Sequence, residues 1–129
     1  MKTLLSALAL LSLSACAVIP DTPRVNGDAA AQGTPVAIGK PVWTGDAILT
    51  PLSVVEDSRC PENVRCVWAG KLTVSTRITS THWAQTANLT LGEPHEVLGR
   101  TYVLVSGTPE KRGEEAIPAD AYRFTFERR

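Results

Sequence analysis

The residues able to do chemistry in this chain are few. There are two histidines, His82 and His95, and three cysteines, Cys16, Cys60 and Cys66. Adjacent carboxylates occur at Glu56-Asp57 and Glu114-Glu115. General acid–base or calcium chemistry would need such carboxylates to converge across a fold. Adjacency alone does not provide that. Zinc needs four ligands, and neither histidine lies at ligand spacing with the cysteines. Cys60 and Cys66 are further apart than a thioredoxin-like C-x-x-C, and no βαβ pattern surrounds them. The serines form no G-x-S-x-G elbow, and there is no phosphate-binding glycine loop. The expectation is therefore no catalytic residues, no metal and no cofactor. An enzyme using His82 or a carboxylate in the cell envelope is the alternative.

Cys16 belongs to a different kind of chemistry. Met1-Lys2 is a short basic start, and Leu4 to Leu13 is apolar except for Ser6 and Ser12. That length matches the core of an export signal and falls short of the roughly 20 apolar residues that span a bilayer. It ends in Leu13-Ser14-Ala15-Cys16. A branched apolar residue, two small residues and a cysteine resemble the lipobox of bacterial lipoproteins. The resemblance implies removal of residues 1–15 and lipidation of the Cys16 thiol, with two or more acyl chains giving stable anchoring. Ala17 follows the cysteine, where Asp would favour inner-membrane retention. The implied destination is an outer membrane, with the domain facing the periplasm.

Residues 16–33 are rich in Pro, Gly, Asp, Asn and Ala and hold no lasting apolar period. They read as a flexible tether with an r.m.s. reach of roughly 20–25 Å. A short strand around Val18-Ile19 is the alternative. The folded domain is expected over residues 34–129.

Export sets the state of the remaining cysteines. With Cys16 lipidated, Cys60 and Cys66 are an even pair in an oxidising compartment, so a disulfide is expected, with redox-active thiols or a metal as alternatives. The surrounding segment runs Asp57-Ser58-Arg59-Cys60-Pro61, a short spacer, then Cys66-Val67-Trp68-Ala69-Gly70. It resembles a D-S-R-C-P…C-x-W-x-G segment of small secreted or lipid-anchored bacterial proteins of uncharacterised function. Such chains also tend to end in a strand with a Tyr-Arg pair, here Tyr122-Arg123. The resemblance covers about 14 of 129 residues and implies no activity.

Residue by residue, the loop reads as architecture. Asp57 can accept backbone N–H groups or pair with Arg59 or Arg65. Pro61 stiffens the ring, and Gly70 permits a turn or a close approach. Trp68 is large enough to cover the disulfide and anchor the next strand in the core. A functional reading stands beside this one: Arg59, Glu62 and Arg65 form a charged knuckle that contacts a partner. Because Arg59 and Arg65 each precede a cysteine, a protease-inhibitory loop is a further alternative.

The scaffold that must position these residues is expected to be all-β. Leu72, Val74 and Ile78 alternate with Lys71, Thr73, Ser75 and Arg77, and Tyr122, Phe124 and Phe126 alternate with Arg123, Thr125 and Glu127. A period of two buries one face of a strand. Thr101 to Ser106 is apolar on both faces and suits a central strand. Val36 to Trp43, Ala47 to Val55 and Trp83 to Leu91 are further candidates. Pro51 suggests an edge or a bulge. Between them lie turns such as Thr44-Gly45-Asp46 and Gly92-Glu93-Pro94, the latter leading into an exposed His95. Six or seven short strands predict a small antiparallel β-sandwich with one disulfide.

Composition narrows the function classes. Hydrophobic residues make up 43% of the chain, which is ordinary for a packed domain. Net charge is zero, and loss of Lys2 with the leader leaves about −1. Nucleic-acid binding therefore has no basic excess behind it. The expected role is a lipid-anchored envelope module that binds a partner or serves structurally.

Overall fold

The computed structural model describes residues 29–62, 64–68, 70–113 and 115–129. The leader, the lipobox cysteine Cys16 and the tether up to residue 28 lie outside the described residues.

The alternating segments form seven strands. β1 (Val42–Trp43), β2 (Ile48–Asp57), β3 (Leu72–Thr79) and β4 (Ala84–Thr90) make one antiparallel sheet in the order β1-β2-β3-β4. β5 (His95–Val97), β6 (Arg100–Thr108) and β7 (Arg123–Arg128) make a second in the order β5-β6-β7. A one-turn 3₁₀ helix, Ala119–Ala121, precedes β7. The sheets are open and face one another, as a sandwich requires.

The period of two determines what fills the space between them. β3 turns Leu72, Val74, Thr76 and Ile78 inward, all fully buried. Leu49 of β2 and Leu89 of β4 join them. From the second sheet come Tyr102, Leu104, Phe124 and Phe126. Each such side chain contributes roughly 1.5–3 kcal/mol of transfer free energy. Thr76 is tolerated there because its hydroxyl donates to Val74 O at 3.2 Å. β6 is the central strand of its sheet, and Tyr102, Val103 and Leu104 are all completely buried. The Gly92 N–H donates to Leu104 O at 2.9 Å, joining the turn after β4 to β6 in the facing sheet.

Three segments differ from expectation. The run Val36 to Trp43 is not one strand. Val36 exchanges two hydrogen bonds of 2.9 Å with Phe124 of β7, whereas Val42 and Trp43 pair with β2. Gly39, at φ 83°, and Pro41 break the run, so the chain crosses from one sheet to the other. Its Gly39 N–H donates to Pro51 O at 2.7 Å. Pro51 lacks an N–H, and on this side of β2, beyond the short β1, no ladder bond is lost. The register of β2 on β3 also shifts between Pro51 and Ser53, which is a bulge. His95, expected in an exposed turn, begins β5 and is half-buried. The two residues Leu98 and Gly99, at φ 50° and 78°, close the β5–β6 hairpin. Ala30, expected at the end of the tether, makes a parallel bridge to Val42, with hydrogen bonds of 2.9 Å to Pro41 O and from the Trp43 N–H.

Candidate functional site

β2 ends at Asp57, and the chain then enters the Cys60–Cys66 loop. Asp57 and Arg59 face inward together. Arg59 Nε donates to Asp57 Oδ1 at 2.8 Å and Nη2 to Oδ2 at 2.9 Å, a two-pronged ion pair whose side chains are only 15% and 10% exposed. The remaining guanidinium donors reach the second sheet. Nη1 donates to Gly107 O at 2.8 Å and Nη2 to Pro109 O at 3.1 Å. Tyr122, just before β7, donates its hydroxyl to Asp57 Oδ2 at 2.7 Å and stacks on Phe124 with ring centroids 5.5 Å apart. Lys111 Nζ donates to Asp57 O at 2.8 Å. The Asp57–Arg59 pair thus ties the end of the four-stranded sheet to Gly107, Pro109, Lys111 and Tyr122 of the other half of the sandwich.

The electrostatics follow from that geometry. Burial disfavours the Asp57 anion, but hydrogen bonds from Arg59 and Tyr122, with the Arg59 charge, outweigh it and hold the carboxyl below its ordinary range. Burial and the hydrogen bond to anionic Asp57 push the Tyr122 phenol up to about 12. The bond to Asp57 raises the Arg59 guanidinium further, so it is permanently charged.

Glycine makes two of these approaches possible. Gly107 is buried, and a Cβ there would run into Leu72 Cδ2. Gly70 sits at φ 59°, and a Cβ there would collide with the backbone oxygen of Ser58. That approach lets Ser58 clip the two ends of the loop together. The Ser58 N–H donates to Lys71 O at 2.8 Å, and the Lys71 N–H donates to Ser58 Oγ at 3.0 Å.

The Cys60–Cys66 disulfide is formed, with Cα atoms 5.8 Å apart. The ring stands outward. Trp68 does not cover it from the core: the residue is 58% exposed, and its indole N–H donates to Ser58 O at 3.3 Å. Val64 and Val67 are also exposed, Val67 almost completely. These three residues form an apolar lip. Beside it lies a cleft of about 550 Å³, lined by Pro61, Val64, Cys66, Trp68 and Lys111 over a floor of Asp57 and Arg59. Pro61 is half-buried in its wall.

The charged knuckle is divided by this arrangement. Arg59 is committed inward and cannot present its guanidinium to a partner or a protease. Arg65 and Glu62 are exposed, and Glu62 lies 3.4 Å from Arg112 Nε. Glu62 also lies against Glu110, whose pKa it raises. His82 is exposed and distant in sequence from the loop, and Glu56 faces solvent beside Lys71 at 3.7 Å. Among the described residues, no group of histidines, cysteines and carboxylates is placed to hold a metal ion.

The roles of Gly107, Pro109 and Lys111 had no signal in the sequence, because they act through backbone oxygens or across about 50 residues. Nor did that of Asp46, which accepts from Tyr102 Oη at 3.3 Å and forms ion pairs with Arg100 and Arg128 at 3.3 and 3.1 Å. Its place in a Thr-Gly-Asp turn marks only the turn. No match to this chain is found among family models, curated proteins or solved structures.

Proposed function

We propose that this chain is a lipoprotein of the bacterial envelope, anchored through Cys16 in the outer membrane and facing the periplasm, whose β-sandwich acts as a binding module. The loop closed by Cys60 and Cys66 is its recognition element. The leader and lipobox support the anchoring half of this reading. The observation that carries the binding half is the polarity of the domain. Ala30, where the segment from Cys16 joins the sandwich, lies beside Val42, which pairs with Leu49 at the start of β2. The apolar lip of Val64, Val67 and Trp68 follows the far end of β2. Eight residues of strand separate the two levels, about 25 Å. The lip therefore points away from the side on which the anchor joins. Exposed apolar side chains gathered on one disulfide-closed loop support its reading as a contact surface.

The test has two arms. Metabolic labelling with palmitate checks the anchor: incorporation that disappears in Cys16→Ser supports it, and label retained in that variant refutes it. A photo-crosslinking amino acid at Val67, compared with one at Gln85 on the exposed edge of β4, checks the recognition surface. Adducts in intact cells specific to position 67 support the reading. Equal yields, or none, at the two positions count against it.

A further inference from the structure

We infer that the cleft beside the disulfide loop binds a small amphipathic carboxylate, with its planar apolar part against Trp68 and its anionic group on Lys111. The inference deepens the proposed binding role of this loop by giving its ligand a chemistry.

Charge is the first argument. The floor of the cleft contains two cations and one carboxylate. Asp57 is saturated: Arg59 holds both of its oxygens and Tyr122 shares one. Arg59 is engaged in turn by Asp57, Gly107 O and Pro109 O, which take four of its five N–H donors. Lys111 remains. Its Nζ donates to Asp57 O, and among the described residues no carboxylate lies within ion-pair distance of it. An ammonium group has three donors, so two are left for a ligand. Lys111 thus offers the cleft a half-buried positive charge with donors to spare.

The second argument is shape and surface. At about 550 Å³ the cleft falls within the range of small-molecule sites. Its walls are apolar: Pro61, Val64, the disulfide and Trp68. The Trp68 indole N–H donates to Ser58 O at 3.3 Å, which favours one orientation of the ring. Ser58 is itself clipped to Lys71, and the disulfide closes the loop. An aromatic surface and an ammonium that line one cleft, on a loop closed by a disulfide, cost little ordering on binding. A neutral apolar ligand would leave the two remaining Lys111 donors without a partner. A cationic one would meet repulsion.

The test is a charge series on one ring, titrated into the full mature chain and followed by amide chemical shifts. Indole-3-acetate, indole-3-acetamide and tryptamine share the ring and differ in charge. Indole-3-acetate is expected to shift the amides of the loop and of Lys111. The amide should bind about tenfold more weakly, the value of one charge-assisted hydrogen bond. Tryptamine should bind more weakly still. In Lys111→Met the preference for the acid should vanish. In Trp68→Ala, with spectra otherwise unchanged, all binding should weaken. Equal affinity for acid and amide in the unmodified protein, or no shifts with millimolar indole-3-acetate, would overturn the inference. If position-67 crosslinks persist in that event, the binding role stands and only this ligand chemistry is lost.

Discussion

The Tyr122 hydroxyl donates to Asp57 Oδ2 at 2.7 Å, joining residues 65 positions apart in the chain. Asp57 closes β2 in one sheet, and Tyr122 leads into β7 in the other. With Arg59, the pair forms a buried polar clasp across one end of the sandwich. The DSRC segment and the terminal Tyr-Arg strand are therefore parts of one structural unit. Arg123 is not inside it: its Nη1 donates to the backbone oxygens of Asp120 and Tyr122 at 2.8 and 2.7 Å.

Removing one partner from such a clasp should cost more than the bond itself, because a buried charge is left unmatched. Asp57→Asn is expected to destabilise the domain by about 3 kcal/mol. Tyr122→Phe removes one hydrogen bond to an ionised acceptor and should cost about 1.5 kcal/mol. Urea unfolding of both variants and the double variant checks this. A double variant no worse than Asp57→Asn is expected, since Tyr122 acts through that carboxylate. Strict additivity would show that the two act independently.

The same clasp makes stability depend on pH at both extremes. The folded Asp57 pKa lies below its unfolded value, so its contribution is complete above the ordinary carboxylate range and is lost as pH falls through the depressed folded value. The folded Tyr122 pKa, about 12, lies above its unfolded value, so its contribution is complete below about pH 10 and fades as pH rises toward 12. Thermal midpoints across this span should show both limbs. Asp57→Asn should flatten the acid limb, and Tyr122→Phe the alkaline one. An alkaline limb unchanged in Tyr122→Phe would assign it to another group.

Gly70 and Gly107 should respond differently to alanine. At Gly107 the added methyl meets the end of Leu72, a side chain that can shift, although the core around it is full. Overpacking of this kind costs about 1–3 kcal/mol. At Gly70 the methyl meets backbone, and φ is positive, so strain adds to collision. Gly70→Ala is expected to be the more damaging, and chemical denaturation ranks them. The reverse order would mean that the Ser58 approach relaxes freely.

The disulfide closes a short ring whose ends are already clipped by Ser58 and Arg59. Chain entropy gives such a ring about 2 kcal/mol. Cys60→Ser/Cys66→Ser should lose about that much and remain folded, because the clasp and the core do not pass through the sulfurs. Complete unfolding of the double variant at 25 °C would show that the ring, not the clasp, holds this end of the sandwich.

What could be read from the sequence were the features that recur locally. Alternation marks β3 and β7 because one face is buried along all of β3 and through Phe124 and Phe126 of β7. The Thr44-Gly45-Asp46 turn is legible because Gly45, at φ 99°, takes a conformation costly for other residues. β5 was hidden because Leu98, at φ 50°, fills a turn position usually signalled by Asn, Asp or Gly. The division of Val36 to Trp43 between two sheets was hidden because pairing partners are set by tertiary position, not by period. The clasp shows the same limit. Its residue types were visible, but alternatives for Asp57 stayed open until Arg59 and Tyr122 were placed. Trp68 inverted the usual inference from size to burial, because its indole lies on the exposed loop with its N–H on Ser58 O.

That inversion yields a direct test. A core tryptophan truncated to alanine costs about 3–5 kcal/mol. Trp68 is more than half exposed, and its indole hydrogen bond, to Ser58 O, is at 3.3 Å and near the surface. Trp68→Ala should therefore cost no more than about 1 kcal/mol, within the range of surface substitutions that remove a weak contact. Tyr102→Ala, which empties a fully buried position, should cost several times as much. Steady-state fluorescence gives an independent reading. Iodide should quench Trp68 readily, and the quenchable fraction should fall in Trp68→Ala. If Trp68→Ala instead unfolds the domain, the indole is a structural wedge, and an uncovered apolar lip no longer argues for a contact surface.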